Sequence, residues 1–130
     1  LHIADATAAA IKQAGCRRVG LLGTKFTMQQ PFYRQRLSEQ HGIEVLLPTE
    51  AEQDKLHRII YQELCQGVID PESKQTVRKM MAGLAWQGVD GIILGCTEIG
   101  LLVAKADAAV PLFDTTLIHA RAAVELALAS

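Results

Sequence analysis

Cys96 is the residue of this chain whose surroundings best suit chemistry. It follows a short apolar run and Gly95, and it precedes Thr97, Glu98 and a second apolar stretch. A cysteine between a strand and the start of a helix meets unpaired backbone N–H groups, whose dipoles favour the thiolate. A thiolate held in this way can be a nucleophile, a redox thiol or a general base, whereas a cysteine in an apolar setting can equally be inert packing. Thr97 and Glu98 would add a hydroxyl and a carboxylate within reach of the sulfur. A second segment, Gly23-Thr24-Lys25-Phe26-Thr27, leaves another apolar run in the same manner. Thr24 and Thr27 could hydrogen-bond a small carboxylate or cap the turn that follows them. The segment lacks the G-x-G-x-x-G spacing and the lysine arrangement of a phosphate loop.

The remaining reactive residues read as structural. Cys16 precedes a strand candidate and Cys65 ends a helix candidate. His119 falls one turn into the last helix; alone it reads as a packing residue, but its helix starts near the proposed site. His2, His41 and His57 have no ligand spacing and read as surface or packing residues. Three widely spaced cysteines suggest neither a disulfide framework nor a zinc site, so no metal is expected.

These residues must be positioned by an alternation of apolar runs and amphipathic stretches. Residues 6–14 are alanine-rich and stop at Gly15, as a helix would. Residues 18–23 (RVGLLG), 43–47, 89–95 (VDGIILG) and 110–113 are strand candidates. Residues 32–40 read as a helix with Pro31 near its start and Gly42 closing it. Leu56, Ile59, Ile60 and Leu64 form one helical stripe. Val77, Met80, Met81, Leu84 and Ala85 form another, after a break at residues 67–71. A last helix spans about residues 115–130, with Asp114, Thr115 or Thr116 as its cap. Strand–helix alternation predicts an α/β fold, a four-stranded parallel sheet flanked by helices, because parallel strands need crossover helices. Ligands of such sheets bind beyond the carboxyl ends of the strands, where the Thr24 and Cys96 segments emerge.

Bulk properties narrow the function. The 130 residues suit one domain, with 49% apolar residues and few aromatics. A net charge of −1 argues against a nucleic-acid partner. No run is long enough for a membrane span, and no segment reads as a signal peptide, so a reducing, cytoplasmic setting is expected. The chain begins at Leu1 rather than at methionine, which fits a piece of a longer protein.

The motif Gly95-Cys96-Thr97-Glu98-Ile99 resembles the second cysteine motif of the aspartate/glutamate racemase family. The resemblance extends to GLLGTKFTMQQPFYRQRL from Gly20, EVLLPTEAEQDKLHRIIYQELCQG from Glu44 and VPLFDTTLIHA from Val110. Among relatives, the chain looks most similar to bacterial broad-specificity amino-acid racemases. The resemblance implies one lobe of a two-lobed enzyme, with an amino-acid substrate held between lobes that each supply one cysteine. One thiolate would remove the α-proton while the other thiol protonates the opposite face, with no cofactor. Cys96 would be the second-lobe cysteine, Glu98 would poise it, and Thr24, Thr27, Thr97 and His119 would bind substrate. Glu98 stands where glutamate racemases usually have histidine, which favours the aspartate-racemase branch.

The first-lobe cysteine motif is absent, so residues 1–130 read as the C-terminal lobe, whose last helix would pack on the missing N-terminal lobe. The family is often dimeric, so a homodimer is a compatible assembly. Aspartate-preferring relatives carry a lysine near residues 67–70, where this chain has Asp70, which would repel a side-chain carboxylate. Two other functions fit the same residues: a single-cysteine decarboxylase or diacid isomerase of the superfamily, and a non-catalytic module that binds a carboxylate.

Overall fold

The computed structural model describes residues 3–129, so His2 lies outside the described residues. The chain runs through α1 (Ile3–Gln13), β1 (Arg18–Leu22), α2 (Lys25–Gln29), α3 (Pro31–Gln35), β2 (Glu44–Leu46), α4 (Glu50–Gln62), α5 (Pro71–Trp86), β3 (Gly91–Leu94), α6 (Ile99–Leu102), β4 (Leu112–Asp114) and α7 (Thr115–Ala129). The four strands form one sheet in the order β2-β1-β3-β4, and every pairing is parallel. The α/β architecture expected from the alternation is therefore present.

The central strands are the apolar ones. Every residue of β3 is buried, as are Val19 to Leu22 of β1, which is what a strand covered on both faces requires. Both helical stripes enter the core that holds these strands: Leu56, Ile59, Ile60 and Leu64 are buried, and so are Val77, Met80, Met81 and Leu84. Burying an aliphatic side chain of this size contributes about 1.5–3 kcal/mol, so these stripes outweigh the modest helix propensity of their polar neighbours. Close approach of helix to sheet and of strand to strand depends on missing side chains. A Cβ on Gly20 would lie 2.7 Å from Leu84 Cδ1, and one on Gly91 would lie 2.7 Å from Phe113 Cε2.

Helix ends follow local chemistry. Thr49 and Glu52 form a reciprocal capping box at the start of α4. Asp70 caps α5 by accepting the Glu72 N–H at 2.9 Å, so its carboxylate is engaged in ordering that turn. Of the three capping candidates for the last helix, Asp114 does the work, accepting the Leu117 N–H at 3.1 Å.

The structure corrects three boundaries. The helix expected over residues 32–40 is divided: α3 passes into a five-residue π-type turn, Arg36–Gln40. Cys65 lies beyond α4, in the 3₁₀ turn Leu64–Gln66. The five-residue helix α2 has no counterpart in the sequence reading, because so short a segment shows no periodicity.

α7 differs from the other long helices. It packs against α1 and β4, yet Leu117 (51%), Val124 (57%) and Leu128 (82%) remain exposed. Among the described residues, no helix is long and apolar enough to cross a membrane.

Candidate active site

The pairing of β1 with β3 sets Leu22 opposite Leu94, so the two segments that leave these strands emerge side by side. The Gly95 N–H donates to the Leu22 carbonyl at 2.7 Å, which extends the ladder by one residue. Both strand-end glycines then make room for Thr27. A Cβ on Gly95 would lie 3.2 Å from Thr27 Cγ2, and one on Gly23 would lie 3.3 Å from Thr27 Cβ. The fold thus brings Thr24 and Thr27 to the edge that carries Cys96, Thr97 and Glu98.

Thr24 caps α2. Its Oγ1 accepts the Thr27 N–H at 3.2 Å and shares a hydrogen bond of 3.1 Å with Thr27 Oγ1. The capping role weighed for these threonines is realised, and it fixes both hydroxyls in one turn at the sheet edge. The start of α7 adds a third element. Thr115 Oγ1 donates to the Leu94 carbonyl at 3.2 Å, and Thr116 Oγ1 lies 3.0 Å from the exposed Thr97 Oγ1. His119 is one helical turn beyond Thr116 and half-buried, and its Nδ1 has no hydrogen-bond partner among the described residues.

The Cys96 thiol is half-buried and donates to Glu98 Oε2 at 2.8 Å. Burial pushes the thiol up, and the hydrogen bond to Glu98 adds to this, raising its pKa to about 11. The same hydrogen bond is the largest cause holding the Glu98 carboxyl below its ordinary range. This corrects the expectation that a helix N-terminus stabilises the thiolate. α6 begins three residues after Cys96 and has only four residues, too few to build a useful dipole. At neutral pH the pair is a thiol facing a carboxylate.

The other cysteines are placed differently. Cys16 is buried and donates to the Asp90 carbonyl at 3.1 Å; burial first, and Asp90 second, push its thiol up. Cys65 is exposed on the turn that packs against α6. His41 bonds Asp5 through Nε2 at 2.9 Å, a packing role. His57 is not a simple surface residue: its Nδ1 accepts the Lys25 N–H at 2.9 Å, directly after Thr24. Neither His57 nor Thr116 could be assigned to this edge from spacing, because each reaches it only through tertiary contacts.

A parallel α/β lobe carrying a Gly-Cys-Thr-Glu edge beside a threonine turn defines a class, and the comparisons with known proteins identify it. The Asp/Glu/Hydantoin racemase family matches residues 1–123, and the chain belongs to that family. It is similar in structure to a candidate Asp/Glu racemase from Yersinia pestis, with a TM-score of 0.95 and 57% identity over 98% of this chain and 56% of that one. It is also similar to an aspartate racemase homologue from Pyrococcus horikoshii OT3, with a TM-score of 0.90 and 41% identity over 98% of this chain and 55% of the other. An uncharacterised protein of the pnlA 3′ region in Pectobacterium carotovorum subsp. carotovorum is 33% identical over 103 residues, 79% of this chain and 67% of its own. The chain therefore spans just over half the length of the two solved relatives.

Proposed function

We propose that this chain is the C-terminal lobe of a cofactor-independent amino-acid racemase and supplies one of two thiols that act on opposite faces of the α-carbon. The observation that carries this reading is the Cys96–Glu98 pair at 2.8 Å, seated beside the Thr24–Thr27 turn at the carboxyl ends of β1 and β3. Inversion at carbon needs a base on one side and an acid on the other. Cys96 enters as the acid. A thiolate from the other lobe takes the α-proton, the S–H bond of Cys96 breaks, and its proton joins the opposite face of the carbon. Cys96 is left as a thiolate beside the Glu98 carboxylate. That is an unfavourable pairing, which makes Cys96 a strong base for the reverse reaction. A thiol with a raised pKa thus suits a carbon acid, because its conjugate base accepts a proton more readily.

Thr24, Thr27 and Thr97 offer hydroxyls to the substrate carboxylate, where negative charge develops as the α-proton leaves. The unpartnered Nδ1 of His119 faces the same role from α7. The exposed apolar side chains of α7 are the surface on which the other lobe packs, and the free thiols suit a reducing compartment such as the cytoplasm.

The test uses the intact protein, incubated with single L-amino acids in deuterated water, with α-proton loss and enantiomer ratio followed together. Exchange accompanied by inversion, independent of pyridoxal phosphate and abolished by Cys96→Ala, is the expected result. Exchange that survives Cys96→Ala sinks the reading. Release of carbon dioxide without inversion would point to a decarboxylase.

A further inference from the structure

His57 takes no part in the chemistry above, yet it holds the segment that chemistry needs. Its Nδ1 accepts the backbone N–H of Lys25 at 2.9 Å, a contact between residues 32 apart in sequence. Lys25 is the first residue of α2 and directly follows its cap, Thr24. The imidazole is itself clamped. Phe26 meets it edge-on with ring centroids 5.5 Å apart, and Tyr61, one turn further along α4, tilts onto it at 4.7 Å. Accepting an N–H at Nδ1 also places the proton of the neutral ring on Nε2.

Two other contacts join α2 to α4: Lys25 Nζ with Asp54 Oδ1 at 2.6 Å, and Gln29 Nε2 with Gln53 Oε1 at 3.3 Å. Both run between flexible side chains, and the ion pair is largely exposed, where such pairs contribute little. Of these three links, only the imidazole grips the backbone of the turn. A small displacement of a substrate-orienting group is costly, because orientation is part of what lowers the barrier.

We propose that His57 is a positioning residue for the substrate carboxylate: its Nδ1 fixes the Lys25 amide and, through it, the Thr24 hydroxyl. This rests on the racemase reading. The experiment uses the intact two-lobed protein and compares His57→Leu, which keeps bulk against Phe26 and Tyr61 but removes the acceptor, with His57→Asn, which restores an acceptor near Nδ1. Loss of one hydrogen bond to a part-buried donor predicts a kcat/KM lowered about tenfold in H57L, carried mainly by kcat because the loosened hydroxyl meets charge that develops in the transition state. H57N should stay within about twofold of wild type in both constants. Amide exchange at Lys25 should quicken about tenfold in H57L and not in H57N. Thr24→Val and H57L should lower kcat/KM by less together than the product of their separate effects, because they act on one contact.

Equal behaviour of H57L and H57N overturns the assignment, and so does wild-type exchange at the Lys25 amide in H57L. A wild-type protein that leaves α-protons unexchanged overturns the racemase reading, and the assignment with it; normal turnover with an unchanged KM in H57L overturns the assignment alone.

Discussion

Cys96 Sγ lies 2.8 Å from Glu98 Oε2, so a thiol and a carboxylate two residues apart share one proton-bearing contact at the edge of the sheet. The pairing keeps the sulfur protonated, the opposite of what a helix N-terminus alone would do, and keeps the carboxyl ionised, as a helix N-terminus also would.

Removing the carboxylate should release the thiol. Burial remains in Glu98→Gln, so the Cys96 pKa should fall from about 11 without reaching an ordinary value. Alkylation of the Cys96 peptide near pH 9, followed by mass spectrometry, should quicken several-fold to about tenfold. The stability linkage has a definite sign. A thiol with a raised folded-state pKa keeps a proton that the unfolded chain releases, so stability falls as pH rises from about 9 to about 11. Glu98→Gln should shrink that loss. An unchanged alkylation rate would remove Glu98 from the site.

Gly95→Ala tests the junction between the two segments. The new Cβ would press on Thr27 Cγ2 at 3.2 Å and on the Leu22 carbonyl at 3.3 Å, and the carbonyl belongs to backbone that has little freedom to yield. Destabilisation of about 1–3 kcal/mol is expected by thermal or urea unfolding. Gly83→Ala is the contrast: the residue lies within α5 with no atom within 4 Å of its Cβ position, so a gain of about 0.5–1 kcal/mol is expected. Similar responses at the two positions would contradict the packing described.

Acid should weaken the attachment of α1. Asp5 accepts from Arg36 Nε at 2.9 Å and Nη2 at 2.8 Å and also meets His41, and the Arg36 bonds foremost hold its carboxyl well below the usual range. A depressed folded-state pKa gives stability that is present above the ordinary carboxylate range and lost as pH falls below it. The melting temperatures of wild type and Asp5→Asn should therefore differ most near neutrality and converge below about pH 4. A constant difference across that range would show that the ion pair is not what Asp5 contributes.

Leu128→Glu separates a free α7 from a covered one. Leu128 is 82% exposed here, so in the 130-residue chain the change should shift stability by less than about 0.5 kcal/mol. In the intact protein, where α7 is proposed to pack on the other lobe, it should cost about 2–4 kcal/mol. Equal effects in the two proteins, measured by urea unfolding, would remove that role for α7.

The sequence by itself determined the sheet, because strands buried on both faces must be continuously apolar, and the runs at residues 18–23 and 89–95 supplied β1 and β3. It also determined which helix faces are buried, since the stripes beginning at Leu56 and Val77 have a helical period and little else to satisfy them. Cys96, Thr24 and their neighbours could be nominated from their place after strands. Only the tertiary structure decided their states. The raised pKa of Cys96 depends on how deeply the chain buries its sulfur and on where Glu98 turns, and neither has a signature in residue spacing. The contact of His57 with the Lys25 amide joins elements 32 residues apart, and Thr97 meets Thr116 across a gap of 19. Such pairs exist only because strand order sets β2 beside β1 and β4 beside β3, and local patterning carries no record of which ends will meet.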